Sequence, residues 1–145
     1  MNRKGITLIE LIVVMVIIAI GALLTAPNIG AWLPHYRLRN ATRDVVSIMR
    51  VAQLKAVSNN TSYRVTFDTV NDSYVLEYQN TGGAWVREGD AQTLPTGVKF
   101  NTTFGNVATF SPNSTATDGN IRLNNTKGST KTVRLLGLTG RIKIE

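Results

Sequence analysis

Glu10 is the only charged residue in the 21 positions from Ile6 to Ala26, and it follows Gly5 by five residues. In low dielectric a lone carboxylate is costly unless a cation pairs with it. Near the end of a membrane-length run it can also reach out to the interface. The chemistry it points to is ion pairing inside an apolar bundle.

The second set of chemically suggestive residues is basic: Arg122, Lys131, Arg134, Arg141 and Lys143. They fall in the predicted last three strands, and strands lie about 4.8 Å apart. A stripe of cations at that spacing can follow a phosphate backbone without reading its sequence. No aromatic interleaves the cations of the closing segment, so base stacking is unsupported. The plainer reading is a solvated strand face. Gly137-Leu138-Thr139-Gly140 matches the pattern of a nucleic-acid-clamping loop, but a hairpin turn explains it better.

Other chemistry is excluded by what is missing. His35 is the only histidine and there is no cysteine. A histidine-based metal cluster, a thiolate site and a Ser-His relay are therefore ruled out. No phosphate-cradling glycine loop is present. The expectation is a protein that is not an enzyme and has no cofactor. Asn40-Ala41-Thr42 and Asn113-Ser114-Thr115 match a glycosylation triplet, as chance allows in a chain rich in Asn and Thr.

The elements that position these residues divide the 145-residue chain in two. At about 1.5 Å per residue, the run from Ile6 to Ala26 matches the roughly 30 Å core of a bilayer. Arg3 and Lys4 would then stay on the cytoplasmic side. A secretory signal peptide is one reading, but Leu24-Thr25-Ala26 is a poor cleavage site and Pro27 would follow it. A plain anchor helix is another, and it leaves Glu10 unexplained. Pro27 and Pro34 bracket "PNIGAWLP", which reads as a bend over 27–35. Trp32 and Tyr36 suit interfacial aromatics or first contacts with the head.

From residue 36 to 58, Leu38, Ala41, Val45, Ile48, Met49, Ala52 and Ala56 recur every three or four positions. This is an amphipathic helix that packs by its apolar stripe. Asn59-Asn60 ends it. Beyond residue 60 the period changes to two. "SYRVTFD" and "SYVLEYQ" flank a hairpin connection at Thr69–Asp72, followed by "AWVRE", "GVKFNTTF", "NVATFS", "NIRLN", "KTVRLLG" and "GRIKI". The stretch 111–119 reads as a mobile loop. The fold class is α+β: a long N-terminal helix packed on an antiparallel sheet or two small sheets.

Formal charge is +7, unevenly spread. Residues 36–58 carry five cations against Asp44, and residues 96–145 seven against Asp118 and Glu145. Residues 59–95 are net acidic. A basic closing region can attract polyanions or anionic lipid, or simply keep the chain soluble.

"RKGITLIELIV" resembles the class III signal of type IV pilins and of the pseudopilins of type II secretion. The resemblance implies that prepilin peptidase cuts between Gly5 and Ile6, that the new Ile6 amine is methylated, and that Glu10 pairs with the terminal ammonium of a neighbouring subunit. Phenylalanine usually stands where this chain has Ile6. With the helix-then-strands pattern, the whole chain is similar to the GspH/FimT family of minor pilins and pseudopilins. It implies 1–5 as a cleaved leader, 6–26 as an inner-membrane and assembly helix, 27–35 as a bend and 36–145 as a periplasmic head. The implied partners are other pilins or pseudopilins, the peptidase and the inner-membrane assembly platform. Some members that assist DNA uptake bind DNA through a C-terminal Gly-Arg-x-Arg motif. Gly140 and Arg141 match it, with Lys143 in place of the second arginine, which keeps the charge but loses the bidentate fork.

Overall fold

The computed structural model describes residues 5–25, 29–101 and 105–145. Arg3 and Lys4 of the leader, Ala26 at the end of the apolar run, Pro27 of the bend and the end of "GVKFNTTF" lie outside them. The chain forms two compact units, Met1–Leu33 and Pro34–Glu145.

In the first unit, α1 spans Leu8–Thr25, and Thr7 caps it. The Glu10 amide donates to Thr7 Oγ1 at 3.4 Å, while the Thr7 carbonyl accepts from Glu10 and Leu11. Thr7-Leu8-Ile9-Glu10 is a Thr-x-x-Glu sequence of the kind that opens helices. An acid in the first turn also faces the positive end of the helix dipole. Every side chain described on α1 is exposed, with Leu11 at 55% and Ile17 at 63%. The expected 21-residue span is shorter as helix, because Ile6 and Thr7 precede the first turn. Eighteen residues rise about 27 Å. Among the described residues, no helix is long and apolar enough to cross a membrane.

The second helix, α2, spans Ile29–Ser58 with Pro34 inside it. The expected bend therefore does not interrupt 29–35, and the helix starts seven residues before the amphipathic pattern at residue 36. The physical reason is position. Pro34 stands in the second turn, where its missing N–H deprives only the Gly30 carbonyl, and Gly30 is exposed to solvent. At the other end Asn60 adopts φ 50°. The Thr61 amide donates to Ala56 O at 3.3 Å and the Asn60 amide to Val57 O at 3.4 Å, a Schellman closure.

The head folds two antiparallel sheets over α2. Their strands are β1 (Tyr63–Asp68), β2 (Ser73–Gln79), β3 (Trp85–Arg87), β4 (Gln92–Thr93), β5 (Val98–Phe100), β6 (Val107–Phe110), β7 (Gly119–Asn125), β8 (Thr130–Leu136) and β9 (Arg141–Ile144). The first sheet runs β3-β2-β1-β6, with β4 also on β2; the second runs β5-β7-β8-β9. The hairpin connection at Thr69–Asp72 stands where the sequence places it. The 111–119 stretch is held by bonds: the Ser111 amide donates to Thr115 O, and Ala116 bridges Phe110.

The core lies between α2 and both sheets. Leu38, Ala41, Val45, Met49, Ala52 and Ala56 are buried along one stripe of the helix. Val65, Phe67, Phe100, Phe110, Leu123 and Val133 come down from the strands. Phe67 and Phe100 belong to different sheets and meet edge-to-face at 5.4 Å. Thr42 is buried too, its hydroxyl donating to Leu38 O at 2.7 Å. Met49 is fully buried at the centre of the helix stripe. Met49→Ala is expected to cost about 2–5 kcal/mol of stability, read as an earlier midpoint with unchanged slope in denaturant unfolding.

Candidate functional site

Two sets of residues carry the sequence-based expectations, one in each unit. In the first, Gly5 and Ile6 are exposed and lie ahead of α1, outside any helix or strand. A peptidase acting on this bond meets an accessible, non-helical backbone. Glu10 is exposed in the first turn of α1, one turn past the Thr7 cap. A Cβ added to Gly5 would meet nothing within 4 Å, so the fold of this chain does not itself require glycine there.

The second set is the outer face of the β5-β7-β8-β9 sheet. Strand alternation sorts it. Ile121, Leu123, Val133 and Leu135 are buried toward α2, so Arg122 and Arg134 point outward. Arg134 stands directly opposite Lys143, and Leu136 opposite Arg141. Asn120 faces Arg134 on the other side, which sets Arg122 diagonal to it. Arg122, Arg134, Arg141 and Lys143 thus share one exposed face. Lys99 joins them from β5, opposite Asn124, and the sequence pattern did not single it out.

Lys131 does not belong to this face. It pairs with Leu123 and has the parity of Val133 and Leu135, so it projects to the α2 side. It stays exposed because it stands at the start of β8, beyond the buried part of the strand. The stripe expected from the sequence therefore loses one member to the opposite side of the sheet.

The four-residue segment Gly137–Gly140 is the β8–β9 turn, not a clamp between helices. Gly140 has φ +58°, and a Cβ there would lie 2.5 Å from both Gln53 Nε2 and Ser114 O. Glycine is required by this three-way approach of turn, loop and helix. The Gly of the Gly-Arg pair is a packing residue.

A further charged cluster went unnoticed in the sequence. On the outer face of the first sheet, Glu77 is 8% exposed. Its Oε2 accepts from Arg64 Nε at 2.6 Å and from Thr66 Oγ1 at 2.9 Å, and Arg87 lies 4.0 Å from Oε1. The Arg64 guanidinium also sits 4.2 Å over the Trp85 ring. Through these contacts Glu77 ties β1, β2 and β3 together. The signal was available in the outward positions of adjacent strands, but only register shows that Arg64, Glu77 and Arg87 face one another. Lys55 pairs with Glu88, and that hydrogen bond raises the lysine pKa.

His35 Nδ1 lies 3.3 Å from Ser129 Oγ. Among the described residues no three His, Cys, Asp or Glu side chains gather to hold a metal ion.

Residues 1–26 match the prokaryotic N-terminal methylation motif. The fold that follows is that of minor pilins and pseudopilins. The minor pseudopilin EpsH of the type 2 secretion system of Vibrio cholerae superposes with TM-score 0.65 at 9% identity, over 75% of this chain and 96% of that one. The type IV minor pilin FimU of Pseudomonas aeruginosa strain PAO1 gives TM-score 0.59 at 16% identity, over 77% and 90%. No curated protein sequence matches the chain. The chain thus joins a methylation motif at one end to a pilin-like fold in the rest, and its resemblance to the GspH and FimT type stands on both.

The β1–β2 hairpin shows a titrating contact. Asp68 accepts from Asn71 Nδ2 at 2.6 Å and from the Val70 and Asn71 amides. The Asn71 side-chain bond first, then those two amides, hold its carboxyl below the ordinary range. A depressed pKa means that the stabilisation is present above the unfolded value and is lost as pH falls through the folded one. In an NMR titration, the Val70 and Asn71 amide shifts should therefore move together at a pH below the usual aspartate range. Asp68→Asn should abolish that transition.

Proposed function

We propose that the chain is a non-enzymatic minor pilin or minor pseudopilin. Prepilin peptidase cuts it between Gly5 and Ile6, and the Ile6 amine is methylated. Residues 6–26 hold it in the bacterial inner membrane with the 36–145 head in the periplasm. It then assembles into, or primes, a type IV pilus or a type II secretion pseudopilus. Its partners are other pilins or pseudopilins, the peptidase and the inner-membrane platform. The observation that carries this reading is the pairing of the methylation motif over residues 1–26 with a pilin-like head.

The chemistry of the first unit supports it. Cleavage after Gly5 would place an ammonium at the N-terminal end of α1, where the helix dipole is also positive. In an apolar bundle that ammonium needs a carboxylate. Glu10, standing among exposed apolar side chains, supplies one to the neighbouring subunit and sets their axial register. The test is the intact mass and N-terminal sequence of the protein recovered from membranes. Wild type should start at Ile6, with an added methyl group, and Gly5→Glu should remain uncut. Glu10→Val should be cut normally yet disappear from sheared fibres. A wild-type chain starting at Met1 would defeat the proposal.

The outer face of the second sheet supports a second reading, a subunit that binds DNA for uptake. Arg122, Arg134, Arg141 and Lys143 share that face, and no ion pair engages them among the described residues. Full-length protein in detergent should shift duplex DNA in a salt-dependent manner. Removing Arg134 and Lys143 should lower the salt slope by about 2. Lys131→Ala, on the other side of the sheet, should leave it unchanged. An unchanged slope in the double variant would remove this face as the site.

A further inference from the structure

A groove of about 490 Å³ runs between α2 and the start of β8, with the end of β9 along it. Its floor is apolar, from Leu38 and Ile144, and Ile144 is 47% exposed. Its rim carries Arg39, Arg43 and Lys131, and no carboxylate lines it. None of these three cations has an ion-pair partner among the described residues.

The edge of the sheet beside the groove is open. Thr132 and Glu145 exchange both backbone bonds, at 3.0 and 2.8 Å. An antiparallel ladder alternates, so Lys143 and Arg141 bond to β8 in the same way. The backbone groups of Ile142 and Ile144 then point away from β8. Among the described residues the sheet order ends at β9, and no further strand meets them.

We infer that this groove and the β9 edge dock an extended, carboxylate-bearing segment of a neighbouring fibre subunit. The inference rests on the assembly reading above and names the contact that the head makes. Each feature matches a different part of that occupant. The open backbone groups at Ile142 and Ile144 pair with an added strand. Arg39, Arg43 and Lys131 meet its acids, and Leu38 with Ile144 receives an apolar side chain. A phospholipid headgroup would use the cations and leave the edge unpaired. A second copy of β9 is disfavoured, because its Arg141 and Lys143 would bring more positive charge to a rim that already carries Arg39, Arg43 and Lys131.

Carbodiimide coupling of intact fibres and membranes tests this, since it joins a lysine amine to a carboxylate in contact. Full-length protein is used, in cells that carry its assembly machinery. Mass spectrometry should find Lys131 joined to an Asp or Glu of a different pilin-type subunit. Lys131→Arg keeps the charge and should abolish the coupling while the chain stays in the fibre. Arg39→Ala with Arg43→Ala should lower the coupling about tenfold or more, the scale of lost charge-assisted hydrogen bonds. Both arginines are exposed, so the variant keeps its core, and Arg50→Ala on the same helix is the control. Lys131 joined only to another copy of this chain would overturn the choice of occupant. So would phosphatidylglycerol that co-purifies with wild type, is lost in the double arginine variant, and comes with no subunit coupling. A chain cut after Gly5 and present in fibres but never coupled through Lys131 would sink the inference and leave the assembly reading standing. A chain uncut and absent from fibres would sink both.

Discussion

Burial of one face of α2 under two sheets at once governs the head. Ala41, Ala52 and Ala56 are fully buried, so the helix presents small side chains to the sheets at these positions. Met49 and Val45 fill the space between these small residues. The contact of Phe67 with Phe100 then binds the sheets to each other as well as to the helix. Once that face is buried, strand alternation decides every other position. Arg122 and Arg134 must point outward because Ile121, Leu123, Val133 and Leu135 cannot. Lys131 must point toward α2 for the same reason.

The N-terminal unit follows the opposite logic. The side chains described on α1 are exposed, and they are apolar all round apart from Glu10. A helix of that kind is stable where its surroundings are apolar, in lipid or among like helices. Glu10 stands in the first turn of that helix, which Thr7 caps. The two units therefore differ in character, with exposed apolar side chains in one and a packed core with charged outer faces in the other.

Much of this was legible in the chain. The 3.6-residue stripe of 36–58 anticipated the buried face of α2 almost residue by residue, because a helix shows its core side in one dimension. The hairpin at Thr69–Asp72 was equally plain from the alternation on either side. Misplaced elements have specific causes. β4 is two residues long and too short for any period. Pro34 suggested a break, but in a second turn it removes one hydrogen bond and the helix absorbs the loss. The grouping of Lys131 with Arg134 ignored their odd spacing, which puts them on opposite faces of one strand.

The sequence by itself determined the methylation motif, the apolar run with its single acid, the amphipathic helix and the strand-rich remainder. Each of these depends on residue type and local spacing. Tertiary structure decided which cations stand side by side, because that depends on register between strands far apart in the chain. It also decided that Glu77 is enclosed by Arg64 and Arg87, that Gly140 is required by contacts with Gln53 and Ser114, and that Arg39, Arg43 and Lys131 rim one groove. Those neighbours come from three or four separate segments. Only burial of a common core brings them within reach of one another.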